Sequence, residues 1–191
     1  MIYNKSKEDF TFDLAGTYDI DEIKKEILLL NNEWYIDTTR QKSFQAHSHT
    51  KSYILNKVDI EWASENDFKP ESFFSNKKLD SLCLEIVKDL EKRFDGKAGQ
   101  VLFINLPSTK EIYPHIDKGE YLEKACRFHI PIFTNRFVSF KINNEVKKMA
   151  EGECWEINNM KAHSVENFGK TDRIHLLIDI MPNVYINKNL L

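Results

Sequence analysis

The segment "RIHLLIDI", residues 173–180, alternates along its length: Arg173, His175, Leu177 and Asp179 fall on one side of an extended chain, Ile174, Leu176, Ile178 and Ile180 on the other. Such a strand offers one apolar face to a core and an opposite face bearing a cation, an imidazole and a carboxylate. "CRFHIPIF", residues 126–133, repeats the arrangement, with Arg127, His129, Pro131 and Phe133 set against Phe128, Ile130 and Ile132. "GQVLFINL" (99–106), "RFVSFKI" (136–142) and "GECWEIN" (152–158) are further short β-prone runs. They are separated by turn-like "NNEV" (143–146), "EG" (151–152) and "FGKTD" (168–172). Several short antiparallel strands predict a mainly β (α+β) fold, a sandwich or small barrel of the group that includes jelly rolls and cupins.

The N-terminal half has a different texture. "YDIDEIKKEILLLNNEW" (18–34) reads as a helix with Ile20, Ile23, Ile27 and Leu30 on one face, and Asp19 with Glu22 suggests an N-cap and capping carboxylate. A second helix is expected over about 77–94, with Leu79, Leu82, Ile86, Leu90 and Phe94 as its apolar face and Gly96 near its end. "HTKSYILNKVDIEW" (49–62) has strand character, and "NDFKPESFFSNK" (66–77) reads as a loop around Pro70. The layout is one domain over residues 1–191: helical and strand support over 1–98, and a β-rich part over 99–182 that carries most of the histidines.

The bulk properties bound the function. A chain of 191 residues buries roughly 70% of its unfolded surface, enough for a core without metal or disulfide. With 41% hydrophobic, 30% charged and 12% aromatic residues, its composition is that of a globular protein. A formal net charge of −3 gives no general attraction to nucleic acid or anionic membrane, so neither is expected as a partner. Cys83, Cys126 and Cys154 have neither the even number of a disulfide framework nor zinc-type spacing, and a reducing cytoplasm is expected. Neither a signal peptide nor a membrane span is read from the sequence.

Chemistry is suggested by "YPHID" (113–117), where His115 and Asp117 stand two apart and so share a side of an extended chain. Alone the pair is weak, because about a third of chains of this composition contain one by chance. Two imidazoles and a carboxylate on one side of an ion would leave coordination positions open for substrates, so a third ligand is needed, and His163 and His175 are the candidates. "HSVENFGKTDR" (163–173) resembles a hairpin connection in which Gly169 supplies a positive φ, returning Arg173 to the side of His163. An inward arginine calls for an anion, and its fork suits a carboxylate; Arg127 and His129 could grip another oxygen of the same group. A metal triad beside convergent cations implies a small acidic co-substrate.

Taken in order, "NLPSTKEIYPHID" (105–117), "CRFHIPIFTN" (126–135), "FKINNEVKKMAEGECWEIN" (140–158) and "KAHSVENFGKTDRIHLLID" (161–179) resemble the aspartyl/asparaginyl β-hydroxylase-like branch of the iron(II)- and 2-oxoglutarate-dependent oxygenases, which includes free-proline hydroxylases. "HSHTKSYIL" (47–55) is similar to the strand that precedes this region in relatives. The resemblance implies a double-stranded β-helix with flanking helices. It makes His115, Asp117 and His163 the iron(II) ligands, Arg173 the partner of the far carboxylate of 2-oxoglutarate, and Arg127 and His129 further co-substrate contacts. It leaves His175 a supporting or co-substrate contact. With dioxygen, the implied activity is hydroxylation of a C–H bond of a free or peptidyl amino acid, with release of succinate and carbon dioxide. Arg40, His47, His49 and Thr50 are the candidate substrate contacts, with a solvated strand edge as the alternative. Trp155 is a candidate cavity residue, although an aromatic in a strand more often belongs to the core. The peptide-presenting parts of the secretory β-hydroxylases have no counterpart, so substrate identity does not transfer. Competing readings are a cupin-type metalloenzyme that does not consume 2-oxoglutarate, and a jelly-roll binding domain without turnover.

Overall fold

The fold is taken from a computed structural model that describes residues 10–58, 68–72 and 77–186. In chain order the elements are β1 (Phe12–Thr17), α1 (Asp21–Ile27), α2 (Thr39–Ser43), β2 (Lys51–Lys57), β3 (Glu71–Ser72), α3 (Lys77–Arg93), β4 (Gly96–Leu106), β5 (Lys110–His115), α4 (Glu120–Lys124), β6 (Cys126–Phe133), β7 (Val138–Ile142), β8 (Glu145–Lys147), β9 (Glu153–Ile157), β10 (His163–Asn167), β11 (Arg173–Pro182) and α5 (Asn183–Ile186). Short 3-10 turns at Asn32–Tyr35 and Gln45–His47 flank α2. A seven-stranded sheet runs β1-β9-β6-β11-β4-β2-β3, and a four-stranded sheet runs β5-β10-β7-β8. Every pairing is antiparallel. This mostly β arrangement is the jelly-roll core expected from the alternating runs.

Alternation explains how the large sheet is used. The residues Ile174, Leu176, Ile178 and Ile180 of β11 join Phe128, Ile130 and Ile132 of β6 and Phe103 of β4 in one core with α1 and α3. The helices contribute Ile20, Ile23, Ile27, Leu79, Cys83, Ile86, Leu90 and Phe94, so both predicted helical faces pack where their periodicity put them. The opposite face of the same strands turns inward. Part of it is apolar, with Leu102, Ile104 and Leu177 clustered against Ile54, and part is polar, with Arg127, His129, Arg173, His175 and Asp179 all buried. A second apolar layer, which includes Leu106, Ile112, Phe140, Ile142, Ile157 and Val165, joins the two sheets.

Local expectations are revised in several places. Helix α1 ends at Ile27, and its N-cap is Ile20 without a side-chain cap. Asp19 Oδ1 instead accepts from the Asp21 amide at 3.0 Å, and Glu22 pairs with Lys25 and Lys78. Past α3 it is Asp95, at φ +45°, that adopts the left-handed conformation. Gly96 already belongs to β4, where a Cβ would stand 2.5 Å from the Met181 carbonyl oxygen, so close strand approach is its reason for being glycine. Gly169 does not have a positive φ. It is needed because a Cβ there would fall 2.2 Å from Asn135 Oδ1. The predicted 49–62 strand is β2 over Lys51–Lys57, its last residues lying outside the described ones, and the Pro70 loop contains the two-residue β3. Among the described residues no helix is long and apolar enough to cross a membrane.

Candidate metal centre and anion pocket

The small sheet supplies the two imidazoles. His115 ends β5, His163 begins β10, and the two are register partners, which brings their rings to 4.2 Å between centroids. Asp117 follows two residues after the strand, and its amide donates to the Asn159 carbonyl at 3.2 Å, tying its loop to the turn that precedes His163. His115 Nε2 lies 3.7 Å from Asp117 Oδ1, and His163 Nε2 lies 3.9 Å from Asp117 Oδ2. One ligand atom from each residue falls within 4.8 Å of the others, the only such group among the described residues.

The tautomers suit an ion. His115 Nδ1 meets the Tyr113 carbonyl at 2.8 Å and His163 Nδ1 meets the Lys161 carbonyl at 2.9 Å. A carbonyl only accepts, so each Nδ1 carries a proton and Nε2, turned toward the carboxylate, is the nitrogen left for a metal. Burial pushes the pKa of His163 down to about 4, which keeps the ring neutral and able to coordinate. Burial alone would raise the Asp117 carboxyl, but Arg127, and then His163 and His115, hold it below its usual value. Two imidazoles and an ionised carboxylate are the donor set that iron(II) takes in oxygenases with open positions.

The large sheet supplies the cations, and they have different surroundings. Arg127 of β6 faces Asp179 of β11 in register. Its Nε donates to Asp179 Oδ1 at 2.8 Å and its Nη2 to Asp179 Oδ2 at 2.7 Å, while Nη1 donates to Asp117 Oδ2. Burial opposes the charge of Arg127, but Asp117 and Asp179 more than offset it, so its pKa is raised. Tyr121 closes the far side, donating to Asp179 Oδ2 at 3.3 Å and accepting from the Gln100 amide at 2.9 Å. The expected use of Arg127 as a co-substrate grip therefore meets a guanidinium already bound to two carboxylates.

Arg173, at the start of β11, is fully buried, and among the described residues it has no carboxylate partner. Its Nη2 donates to His175 Nδ1 at 2.6 Å, and the Phe140 ring lies under the guanidinium, with 5.9 Å from Cζ to the centroid. Nε and Nη1 have no hydrogen-bond partner. Because His175 Nδ1 accepts from Arg173, its proton sits on Nε2, a second buried donor without a partner. Burial, and then Arg173, push the pKa of His175 well below its usual value. Burial, and then Arg40, lower that of Arg173 to about 9, which still leaves it charged at neutral pH. His129 Nδ1 is likewise buried and unpartnered, and its ring stands 5.8 Å from that of His175. Unsatisfied buried donors around a charged guanidinium call for an anion with several acceptor oxygens. His175 thus sits with Arg173 on the large sheet and is not part of the metal group.

Of the four candidate substrate contacts, two adjoin the triad. Arg40 on α2 places Nη2 3.1 Å from His47 Nε2. His47 stands edge-on to His115 at 4.7 Å, and burial, and then Arg40, push its pKa far down. His49 Nδ1 lies 3.2 Å from the Glu111 carbonyl, and its ring is beside Tyr113. Thr50 closes the 3-10 turn by donating to the His47 carbonyl at 2.8 Å. Trp155 packs on the second apolar layer, donates to Glu153 at 2.8 Å and lies under Lys147. The alternation missed Tyr121 and Gln41. The Arg127–Asp179 pair did leave a signal, since two adjacent inward-facing strands each carry one charge, of opposite sign.

Comparison with known proteins agrees with this fold. A family model described as aspartyl/asparaginyl beta-hydroxylase matches residues 18–182. L-proline cis-4-hydroxylase of Rhizobium meliloti (strain 1021) is 37% identical over 91 residues, which make up 47% of this chain and only 32% of that relative. Among solved structures, the nickel complex of the non-heme monooxygenase ThoJ aligns over 90% of this chain and 74% of its own at TM-score 0.55 and 10% identity. An oxidoreductase of the 2OG-Fe(II) oxygenase family from Burkholderia pseudomallei aligns over 87% and 91% at TM-score 0.52 and 8% identity. At such identities the two structures speak for the fold alone. The family match takes in every strand except β1 and every residue of the triad and the anion site, and by it this chain belongs to the aspartyl/asparaginyl β-hydroxylase family.

Proposed function

We propose that the protein is an iron(II)- and 2-oxoglutarate-dependent oxygenase that hydroxylates a C–H bond of an amino acid or amino-acid side chain, releasing succinate and carbon dioxide. The observation that carries this reading is the pairing of a two-imidazole, carboxylate triad with the unsatisfied donors of Arg173, which shares the Phe140 ring as a neighbour with His163. A metalloenzyme without an acidic co-substrate would have no use for a fully buried guanidinium lacking a counter-charge.

In this reading His115, Asp117 and His163 hold the iron from one side, each imidazole through Nε2. Arg127, itself gripped by Asp179, holds Asp117 Oδ2 and so orients the carboxylate. Arg173 Nε and Nη1, with His175 Nε2–H, receive the far carboxylate of 2-oxoglutarate, and His129 Nδ1 offers a further polar contact. The iron, when bound, supplies the activation of dioxygen that no side chain can provide. Leu102, Ile104, Leu177 and Ile54 line the same inner face and exclude water from it. Arg40 and His47 stand on the substrate side.

The test is succinate formation from 2-oxoglutarate under air with iron(II), in the presence of amino acids, short peptides or cell extract. Turnover that requires both iron(II) and 2-oxoglutarate is expected. Metal binding with turnover indifferent to 2-oxoglutarate and to Arg173→Ala would overturn the proposal.

A further inference from the structure

Two polar atoms of α2 remain unsatisfied after the iron and 2-oxoglutarate have been assigned their partners. Arg40 touches His47 through Nη2, while its Nη1 is enclosed and without a partner. The next residue, Gln41, donates through Nε2 to Ser52 Oγ at 2.8 Å and to Thr50 Oγ1 at 3.4 Å. Thr50 Oγ1 commits its own proton to the His47 carbonyl, so toward Gln41 it can only accept. That settles which end of the amide is which, and leaves Gln41 Oε1 a buried acceptor without a donor.

The guanidinium of Arg40 touches His47, whose ring stands against that of His115. It is within electrostatic reach of Asp117, Asp179 and Arg127, and it acts in turn on Arg173 and His129. The charged groups acting on one another here, among the described residues, are the guanidiniums of Arg40, Arg127 and Arg173 and the carboxylates of Asp117 and Asp179. Iron(II) and doubly anionic 2-oxoglutarate would cancel one another, so the loaded site would keep one positive charge in excess. Arg127 is bound to its two carboxylates and, in the reading above on which this inference rests, Arg173 holds the co-substrate. The excess therefore lies on Arg40. An enclosed guanidinium nitrogen without a partner is costly, and a carboxylate is the group that relieves both its charge and its open N–H.

The geometry points to Arg40 as a second carboxylate-binding position, distinct from Arg173, that selects a substrate bearing its own free carboxylate, with Gln41 Oε1 receiving a donor such as an amino group of the same molecule. The carboxylate can be the α-carboxylate of a free amino acid or an acidic side chain within a peptide. Both present the same anion to Arg40, and they differ in what survives amidation.

The experiment uses the manganese(II)-loaded protein with 2-oxoglutarate, so that binding is read by calorimetry without turnover. The probes are the free amino acids, their α-carboxamides, and end-capped tripeptides with a central Asp or Asn. A carboxylate-bearing probe is expected to bind roughly 10- to 100-fold more tightly than its amide, the factor corresponding to one charged hydrogen bond. Tightest binding by a free amino acid identifies an α-carboxylate, and tightest binding by the Asp tripeptide identifies a side chain. Arg40→Gln should bring acid and amide to equal affinity and Arg40→Lys should keep part of the difference, while 2-oxoglutarate binding falls with Arg173→Gln and not with Arg40→Gln. Equal binding of acid and amide by the unaltered protein, a panel in which no carboxylate binds, or loss of 2-oxoglutarate binding in Arg40→Gln would each overturn the assignment. Failure of 2-oxoglutarate itself to bind the unaltered protein would sink the oxygenase reading instead, and the acid-against-amide comparison would still decide the role of Arg40.

Discussion

Single hydrogen bonds set what each residue of the site can do. His115 and His163 give their Nδ1 protons to nearby carbonyls, and that fixes which nitrogen is free for a metal. Replacing His163 by Ala removes a ligand, and iron(II) or manganese(II) affinity should fall by more than the roughly 10- to 100-fold typical of losing an outer partner, with metal-dependent succinate release abolished. Calorimetry and a succinate assay on the same preparation check both. A residue away from the site adds its own contribution to the pH dependence of folding. Asp80, in the first turn of α3, is buried, neither oxygen has a partner, and burial raises its pKa to about 6 from 3.8. Its folded form holds a proton that the unfolded chain has already released between those two values. Asp80 therefore reduces stability above pH 6, and the loss fades as pH falls toward 4. Asp80→Asn should raise the melting temperature at pH 7 to 8 and do nothing near pH 4. A benefit that persists at acid pH would refute the electrostatic explanation.

At the scale of elements, the register between β6 and β11 matters most. It places Arg127 opposite Asp179, and their two-point contact leaves Nη1 to reach Asp117. A buried pair tolerates losing one partner poorly, and Asp179→Asn should cost about 3 kcal/mol in a urea titration, near the lower end for an uncompensated buried charge. If Arg127 orients Asp117 as proposed, the same variant should also weaken metal binding, an effect that a purely structural pair would not produce. The contact of β4 with β11 is equally tight: a side chain at Gly96 would meet the backbone of Met181. Gly96→Ala is expected to lose about 1–3 kcal/mol by overpacking, measured by the same titration.

Seen as a whole, the molecule divides the chemistry between its two sheets. The small sheet and the loop after β5 carry the triad, the large sheet carries Arg127, His129, Arg173 and His175, and α2 brings Arg40 to His47, beside His115. A metal that recruits 2-oxoglutarate would link the two sheets. Metal and 2-oxoglutarate together should therefore raise the melting temperature more than metal alone. A ligand at a hundred times its dissociation constant contributes about 2.7 kcal/mol, or roughly 5–10 °C for a chain of this length. Arg173→Gln should lose the increment due to 2-oxoglutarate and keep the increment due to metal. A differential scanning fluorimetry matrix of metal and co-substrate reads both, and equal losses of the two increments would contradict a separate anion pocket.

Which residues share a face was legible in the sequence, because a strand repeats every two residues and a helix every 3.6, and both periods survive in the spacing of apolar side chains. That was enough for the jelly-roll class, for the α1 and α3 faces and for the inward set Arg173, His175 and Asp179. Tertiary structure decided the rest. It put His163 with the metal group and His175 with Arg173, tied Arg127 to Asp179, left Arg173 and Arg40 with open donors, and gave Gly96 and Gly169 packing reasons for having no side chain. Spacing is a local property, read from one strand at a time. Strand register, and whether a buried donor finds an acceptor, depend on which distant segments become neighbours, and only the folded chain brings those together.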